Sequence, residues 1–202
     1  MRKNSAMGLA AAAAAAAVVC AGTPAFAATW TVTPGGAVTG TAGTTTLKDI
    51  DTGAQLTCSS STTNATVQGG SGLSGAAIAT VTSATFSNCR GPLGIRFTMN
   101  TDDVSYQLNA DSYAAGVTSG TLNNITATLS GPFCSATVGG PASGTPGSIS
   151  GTYTNSTHTL AVSGGNLHIW NVSGCFGLLH SGDAVSYIAS YVLSPGLTIT
   201  SP

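Results

Sequence analysis

The chain contains no glutamate, and past its first three residues it has a single lysine. Beyond residue 27 the cations are Lys48, Arg90 and Arg96, against Asp49, Asp51, Asp102, Asp103, Asp111 and Asp183, a formal net charge of −3. So few cations exclude a nucleic-acid partner, which needs Lys and Arg to neutralise phosphates. They also exclude attachment to anionic lipid by charge. A glycosidase needs two facing carboxylates. Asp102 and Asp103 are adjacent, so on a strand they face opposite ways, and they read as a turn before the strand at Val104. There is no Cys-x-x-Cys, so metal and redox motifs are missing. No serine has glycine two places to each side, so there is no nucleophile elbow. A triad could draw on His168 or His180, Asp183 and one of many serines, but serine is too abundant here for its presence to point anywhere. Lys48-Asp49-Ile50-Asp51-Thr52-Gly53 looks like the start of a calcium loop but lacks the downstream glutamate, and reads as a hairpin turn. No catalytic residue, cofactor or metal is expected.

Helical periodicity is absent as well, apart from an Ala-rich opening. Met1-Arg2-Lys3-Asn4, an apolar run to about Ala21, and Ala25-Phe26-Ala27 together read as a signal peptide over 1–27, cleaved before Ala28. The apolar run is short for a membrane span, and Gly22 and Pro24 interrupt it, so no transmembrane anchor is expected.

What recurs instead is alternation rich in β-branched residues, as in Trp30 to Thr33, Ile78 to Phe86, Ile125 to Leu129 and Val185 to Leu193. Gly, Ser, Asn and Pro punctuate these runs. The pattern predicts an all-β sandwich or barrel of many short antiparallel strands. A motif also occurs twice. Trp30-Thr31-Val32, Thr46-Leu47-Lys48-Asp49-Ile50, Cys58 and Cys89 return as Tyr106-Gln107-Leu108, Thr121-Leu122-Asn123-Asn124-Ile125, Cys134 and Cys175. This predicts a single domain over 28–202 with two pseudo-repeats, about 30–105 and 106–190, closed by a strand at 191–195.

Four cysteines remain after residue 27. In an exported chain they imply two disulfides with three possible connectivities. Local loop closure favours Cys58–Cys89 and Cys134–Cys175.

Among candidate contact residues, His168 and Trp170 alternate on one strand and could face a ligand. Phe176, Leu178 and Leu179 beside Cys175 read as core near the disulfide. The aromatics could also stack on sugars, although on strands they are more often core or cross-strand partners.

Thr44-Thr45-Thr46-Leu47 leading to Leu56-Thr57-Cys58, Ala84-Thr85-Phe86-Ser87-Asn88-Cys89, Val172-Ser173-Gly174-Cys175 and Tyr191-Val192-Leu193-Ser194-Pro195 resemble small exported β-rich bacterial proteins. These include the alkane oxidation activators, the PraB-like proteins, and uncharacterised actinobacterial secreted proteins. The resemblance covers most of residues 28–202. It implies an exported, non-enzymatic, surface-associated protein acting with hydrophobic substrates or in biofilm. It supplies no site motif.

The expectation is therefore a secreted or cell-surface β-protein acting by binding or assembly. Its partner would be an extracellular or surface component, or a second copy joined through the strand edges at 30–34 and 191–195. A carbohydrate- or small-ligand-binding module is the alternative, and an extracellular hydrolase the third reading.

Overall fold

A computed structural model describes residues 29–101 and 105–202. The signal segment and the Asp102-Asp103 turn lie outside the described residues. The strands, in chain order, are β1 (Trp30–Thr33), β2 (Gly36–Ala42), β3 (Thr45–Asp49), β4 (Gln55–Cys58), β5 (Ser60–Val67), β6 (Gly70–Leu73), β7 (Ala79–Ser87), β8 (Cys89–Arg90) and β9 (Arg96–Asn100). They continue as β10 (Tyr106–Ala114), β11 (Val117–Ile125), β12 (Ala127–Gly131), β13 (Cys134–Gly139), β14 (Gly147–Thr154), β15 (Thr159–Val162), β16 (His168–Gly174), β17 (Val185–Ser194) and β18 (Thr198–Thr200). No α-helix occurs among the described residues.

Most of these strands are halves of longer ones. The pairs β2–β3, β4–β5, β7–β8, β9–β10, β11–β12, β13–β14 and β15–β16 each form one stave, and β17 forms the eighth unaided. Half of the staves' length pairs in the order β2-β5-β7-β10-β11-β14-β15-β17, and β17 returns to β2. The other half pairs as β17-β3-β4-β8-β9-β12-β13-β16. That ring closes through the bridge between His168 and Ala184, where the Ile169 N–H donates to the Asp183 carbonyl at 2.9 Å and the Val185 N–H to the Leu167 carbonyl at 2.9 Å. The expected sheet is thus an eight-stave, up-and-down antiparallel barrel.

The period-two pattern explains the wall. Successive side chains on a strand point to opposite faces. Along β17, Val185, Tyr187, Ala189 and Tyr191 are buried while Ile188, Ser190 and Val192 face solvent. Along β3, Thr45, Leu47 and Asp49 are buried and Lys48 is exposed. Apolar residues fill the interior, and Thr, Ser and Asn cover the outside. Asn88 and Asn124, at the junctions of half-staves, take left-handed φ values of 51° and 65°, which asparagine tolerates better than most residues.

One end of the barrel carries a lid. There β1 lies between β18 and β6, so the two ends of the described chain share a small sheet. Trp30, Val32, Leu197 and Ile199 are buried beneath it against Val38, Ile78, Ala110 and Tyr153. Side chains hold β18 in place: the Asn155 amide donates to the Ile199 carbonyl at 2.8 Å and accepts its N–H at 2.9 Å. The Tyr153 hydroxyl serves Leu197 in the same way, at 2.8 and 3.0 Å.

The repeated motif falls as follows. Trp30 is in the lid and Tyr106 in the wall. Thr46-Leu47 sits in the half of its stave far from the lid, whereas Thr121-Leu122 sits in the near half. Cys58 and Cys134 lie on staves four apart. The strands at 30–33 and 185–194 are both paired on each side, so neither is a free edge.

Candidate functional site: the apolar mouth

The end opposite the lid is built from four connections: residues 50–54, 91–95, 132–133 and 175–184. Each carries an exposed apolar side chain. Ile50 is 60% exposed, Leu93 97%, Phe133 69% and Phe176 74%. Among the described residues only Ile188 and Val192, on the outer wall, are comparable. The connections at the lid end are small and polar by contrast, with Ala115-Gly116 and Asn155-Ser156-Thr157-His158.

Local geometry pushes these side chains outward. Leu93 has φ 58° within the tight Pro92–Gly94 turn, and Phe176 has φ 52° in the Cys175–Gly177 turn. Left-handed backbone is costly for a bulky residue, so neither turn is shaped by its own side chain's preference. The Arg90 guanidinium donates to the Gly94 carbonyl at 3.2 Å and braces the first turn. The Phe133 and Phe176 rings meet edge to face with centroids 6.1 Å apart.

Both disulfides staple this end. Cys58–Cys89 joins β4 to β8, and Cys134–Cys175 joins β13 to the turn after β16, as local loop closure predicted. They sit on opposite walls, four staves apart. Phe176 is not core, as its place beside Cys175 suggested: Cys175 itself is buried at 1% exposure, and the turn projects the next side chain into solvent. Leu178 and Leu179 are half-buried, and Leu179 packs on the core.

Inside the ring of tips is a small cavity of about 40 Å³, lined by Leu47, Leu56, Pro92, Phe97, Leu129 and Ile169 among others. Asp49 stands in this lining and is 1% exposed. Its Oδ1 accepts the Asp51 and Thr52 N–H groups at 2.9 and 2.8 Å, closing the hairpin turn. Asp51 is spent elsewhere, accepting the Ala184 N–H at 2.9 Å. The string that looked like a calcium loop is therefore a turn cap tied to the strand beside it. Burial raises the Asp49 pKa above the ordinary carboxylate range. The Thr52 N–H opposes this, and the neighbouring Asp183 carboxyl adds to the rise, in part by like-charge repulsion. Asp183 accepts the His180 N–H at 2.7 Å, and His180 Nδ1 lies 3.3 Å away.

His168 and Trp170 lie on the outside of β16, because Ile169 between them is buried. Their rings stack with centroids 6.3 Å apart. The Trp170 indole N–H donates to the Gly140 carbonyl at 2.9 Å, and Trp170 borders a shallow depression with Thr126, Thr128, Thr137 and Asn171. They face outward on the wall beside the 175–184 connection, where a Cβ added at Gly182 would lie 3.9 Å from the Trp170 ring. His168, His180 and Asp183 do not converge on a serine: His168 Nδ1 is 3.0 Å from the Asn166 carbonyl, and Asp183 is engaged with His180.

Leu93, Phe133 and Ile50 were missed by sequence reasoning, which takes turns as polar punctuation. The available signal was a large apolar residue between Pro and Gly, in Pro92-Leu93-Gly94, and between Pro and Cys, in Pro132-Phe133-Cys134.

No curated protein and no solved structure matches the chain. A family model does, over residues 1–199, and by that match the chain belongs to the alkane oxidation protein activator PraA/PraB-like family.

Proposed function

We propose that the protein acts outside the cell, without catalysing a reaction, by seating its apolar end on hydrophobic matter such as a hydrocarbon surface. The ring of Ile50, Leu93, Phe133 and Phe176 carries this reading. Isolated exposed apolar residues are ordinary, but a cluster confined to one end of a molecule marks an interaction surface. Full removal of each tip from water is worth about 2 kcal/mol. One disulfide braces the strands of the 50–54 and 91–95 turns and the other those of the 132–133 and 175–184 turns, and the closed wall joins the two pairs, so little ordering remains to oppose adsorption. The family description, an activator of alkane oxidation rather than an oxidising enzyme, accords with contact with hydrocarbon. Export accords with the basic, Ala-rich opening and with paired cysteines.

The test is adsorption to hexadecane droplets. The protein should leave the aqueous phase as droplet area increases. A triple variant, Leu93→Ser, Phe133→Ser and Phe176→Ser, should fold, since these side chains are exposed, and should stay in solution. Equal adsorption of the two would overturn the reading.

A further inference from the structure

Two further cavities lie beyond the mouth, along the barrel axis. The middle one, about 100 Å³, is lined by Leu47, Phe86, Met99, Tyr106 and Tyr187 among others. The one under the lid, about 80 Å³, is lined by Ala65, Ile78, Ala110, Thr118 and Tyr153 among others. The two share Thr63, Val81, Leu108, Leu122, Ile149, Leu160 and Val162, so they adjoin end to end with only these side chains between them. Leu47 lines both the middle cavity and the mouth cavity, so these two adjoin as well.

Native interiors leave few voids larger than a water molecule. An apolar cavity of about 150 Å³ stays dry and takes up benzene. The double cavity is of that scale, and none of its lining residues is Lys, Arg, His, Asp or Glu. Its polar groups are mostly engaged. The Tyr187 and Tyr191 hydroxyls lie 2.7 Å apart, and the Ser61 hydroxyl donates to Tyr191 at 2.9 Å. The Tyr153 hydroxyl is held by Leu197, and the Asn109 side-chain carbonyl accepts the Ala77 N–H at 2.7 Å. Thr118 is not engaged. It is 4% exposed, lines the cavity under the lid, and its hydroxyl has no partner. Buried hydroxyls are nearly always bonded, and an unmet one is costly.

We propose that this space binds an uncharged aliphatic molecule with one terminal oxygen, a straight-chain alcohol, whose oxygen meets Thr118 and whose chain runs along Leu108, Leu122 and Val162 towards Leu47. A hydrocarbon fills the same space but leaves Thr118 unmet. A carboxylate meets no cation there, and burying an unpaired charge is prohibitive. The inference rests on the proposed surface activity for one thing alone, the ligand's route through the mouth.

The test is NMR titration of the Leu108, Leu122, Ile149 and Val162 methyl groups with n-hexanol, n-hexane and n-hexanoate at neutral pH. Hexanol should shift these resonances with an affinity about tenfold above that of hexane, the worth of one hydrogen bond. Hexanoate should not shift them. Thr118→Val, close in shape, should strand the alcohol oxygen and drop hexanol below hexane, with hexane binding intact. Val162→Phe should fill the space and abolish both. No methyl shifts with any probe would overturn the site, and equal affinities unaffected by Thr118→Val would overturn the oxygen assignment. Droplet adsorption is scored separately: if it persists while the titration fails, this inference alone falls. If adsorption fails while hexanol binds, the surface reading alone falls.

Discussion

At the scale of single residues, Asp49 and Gly120 make opposite kinds of prediction. Asp49 is buried with a raised pKa, so the folded state holds its proton more firmly than the unfolded chain does. Stability from this group is therefore greatest at low pH and declines as pH rises from the unfolded carboxylate value through the raised folded one. Asp49→Asn keeps the oxygen that accepts the Asp51 and Thr52 N–H groups and removes the ionisation. Urea midpoints across the acid-to-neutral range should show that decline for the native protein and a flatter profile for the variant. Gly120 faces its neighbouring stave so closely that an added Cβ would stand 2.1 Å from the Asn109 carbonyl oxygen. Gly120→Ala should cost about 2 kcal/mol, as overpacking does, seen as a lower urea midpoint. The turn at Asp49 was legible, but the burial of its carboxyl and the close approach at Gly120 were not. An aspartate in a turn string and a glycine in a Thr-rich strand look alike whether the wall is flat or closed. Phe176 misled for a related reason: nearness to a buried cysteine in sequence says little when a left-handed turn lies between.

At the scale of elements, much was legible. Period-two alternation found the runs at 30–33, 78–86, 125–129 and 185–193, because alternate side chains in these runs meet the apolar interior of the barrel or the cluster under its lid. It could not tell sandwich from barrel. That depends on β17 pairing with both β2 and β15, a contact between the first and last staves that no local pattern encodes. The disulfides were legible because each closes a short loop between neighbouring strands, with sequence separations of 31 and 41. In the chain-entropy account each contributes about 3–4 kcal/mol. Non-reducing peptide mapping should recover Cys58 with Cys89 and Cys134 with Cys175. Reduction should lower the unfolding temperature and also weaken droplet adsorption, since both links brace the turns that carry the apolar tips.

At the scale of the whole molecule, closure answers a problem posed by composition. A chain with one lysine beyond its opening has little charge with which to guard open sheet edges. A barrel removes those edges instead, and the lid sheet covers one end. Association by simple strand addition at 30–33 or 185–194 would have to displace partners already in place, so any self-association through them would be an exchange. We expect light scattering to give a monomer in dilute aqueous solution. Growth with concentration that vanishes in the Leu93, Phe133 and Phe176 serine variant would instead point to contacts through the mouth.

The small sheet at the lid also fixes a direction. The Ser201 hydroxyl donates to the Thr29 carbonyl at 3.1 Å, so both ends of the described chain emerge side by side on the face farthest from Phe133 and Phe176. A tether attached at either end, or at both, therefore pulls from the same pole. A molecule anchored there stands upright, its greasy pole turned away from the support like the bristle of a brush. Films grafted through residue 202 should accordingly capture oil droplets, whereas films grafted through a cysteine introduced at Leu93 should present the lid and shed them.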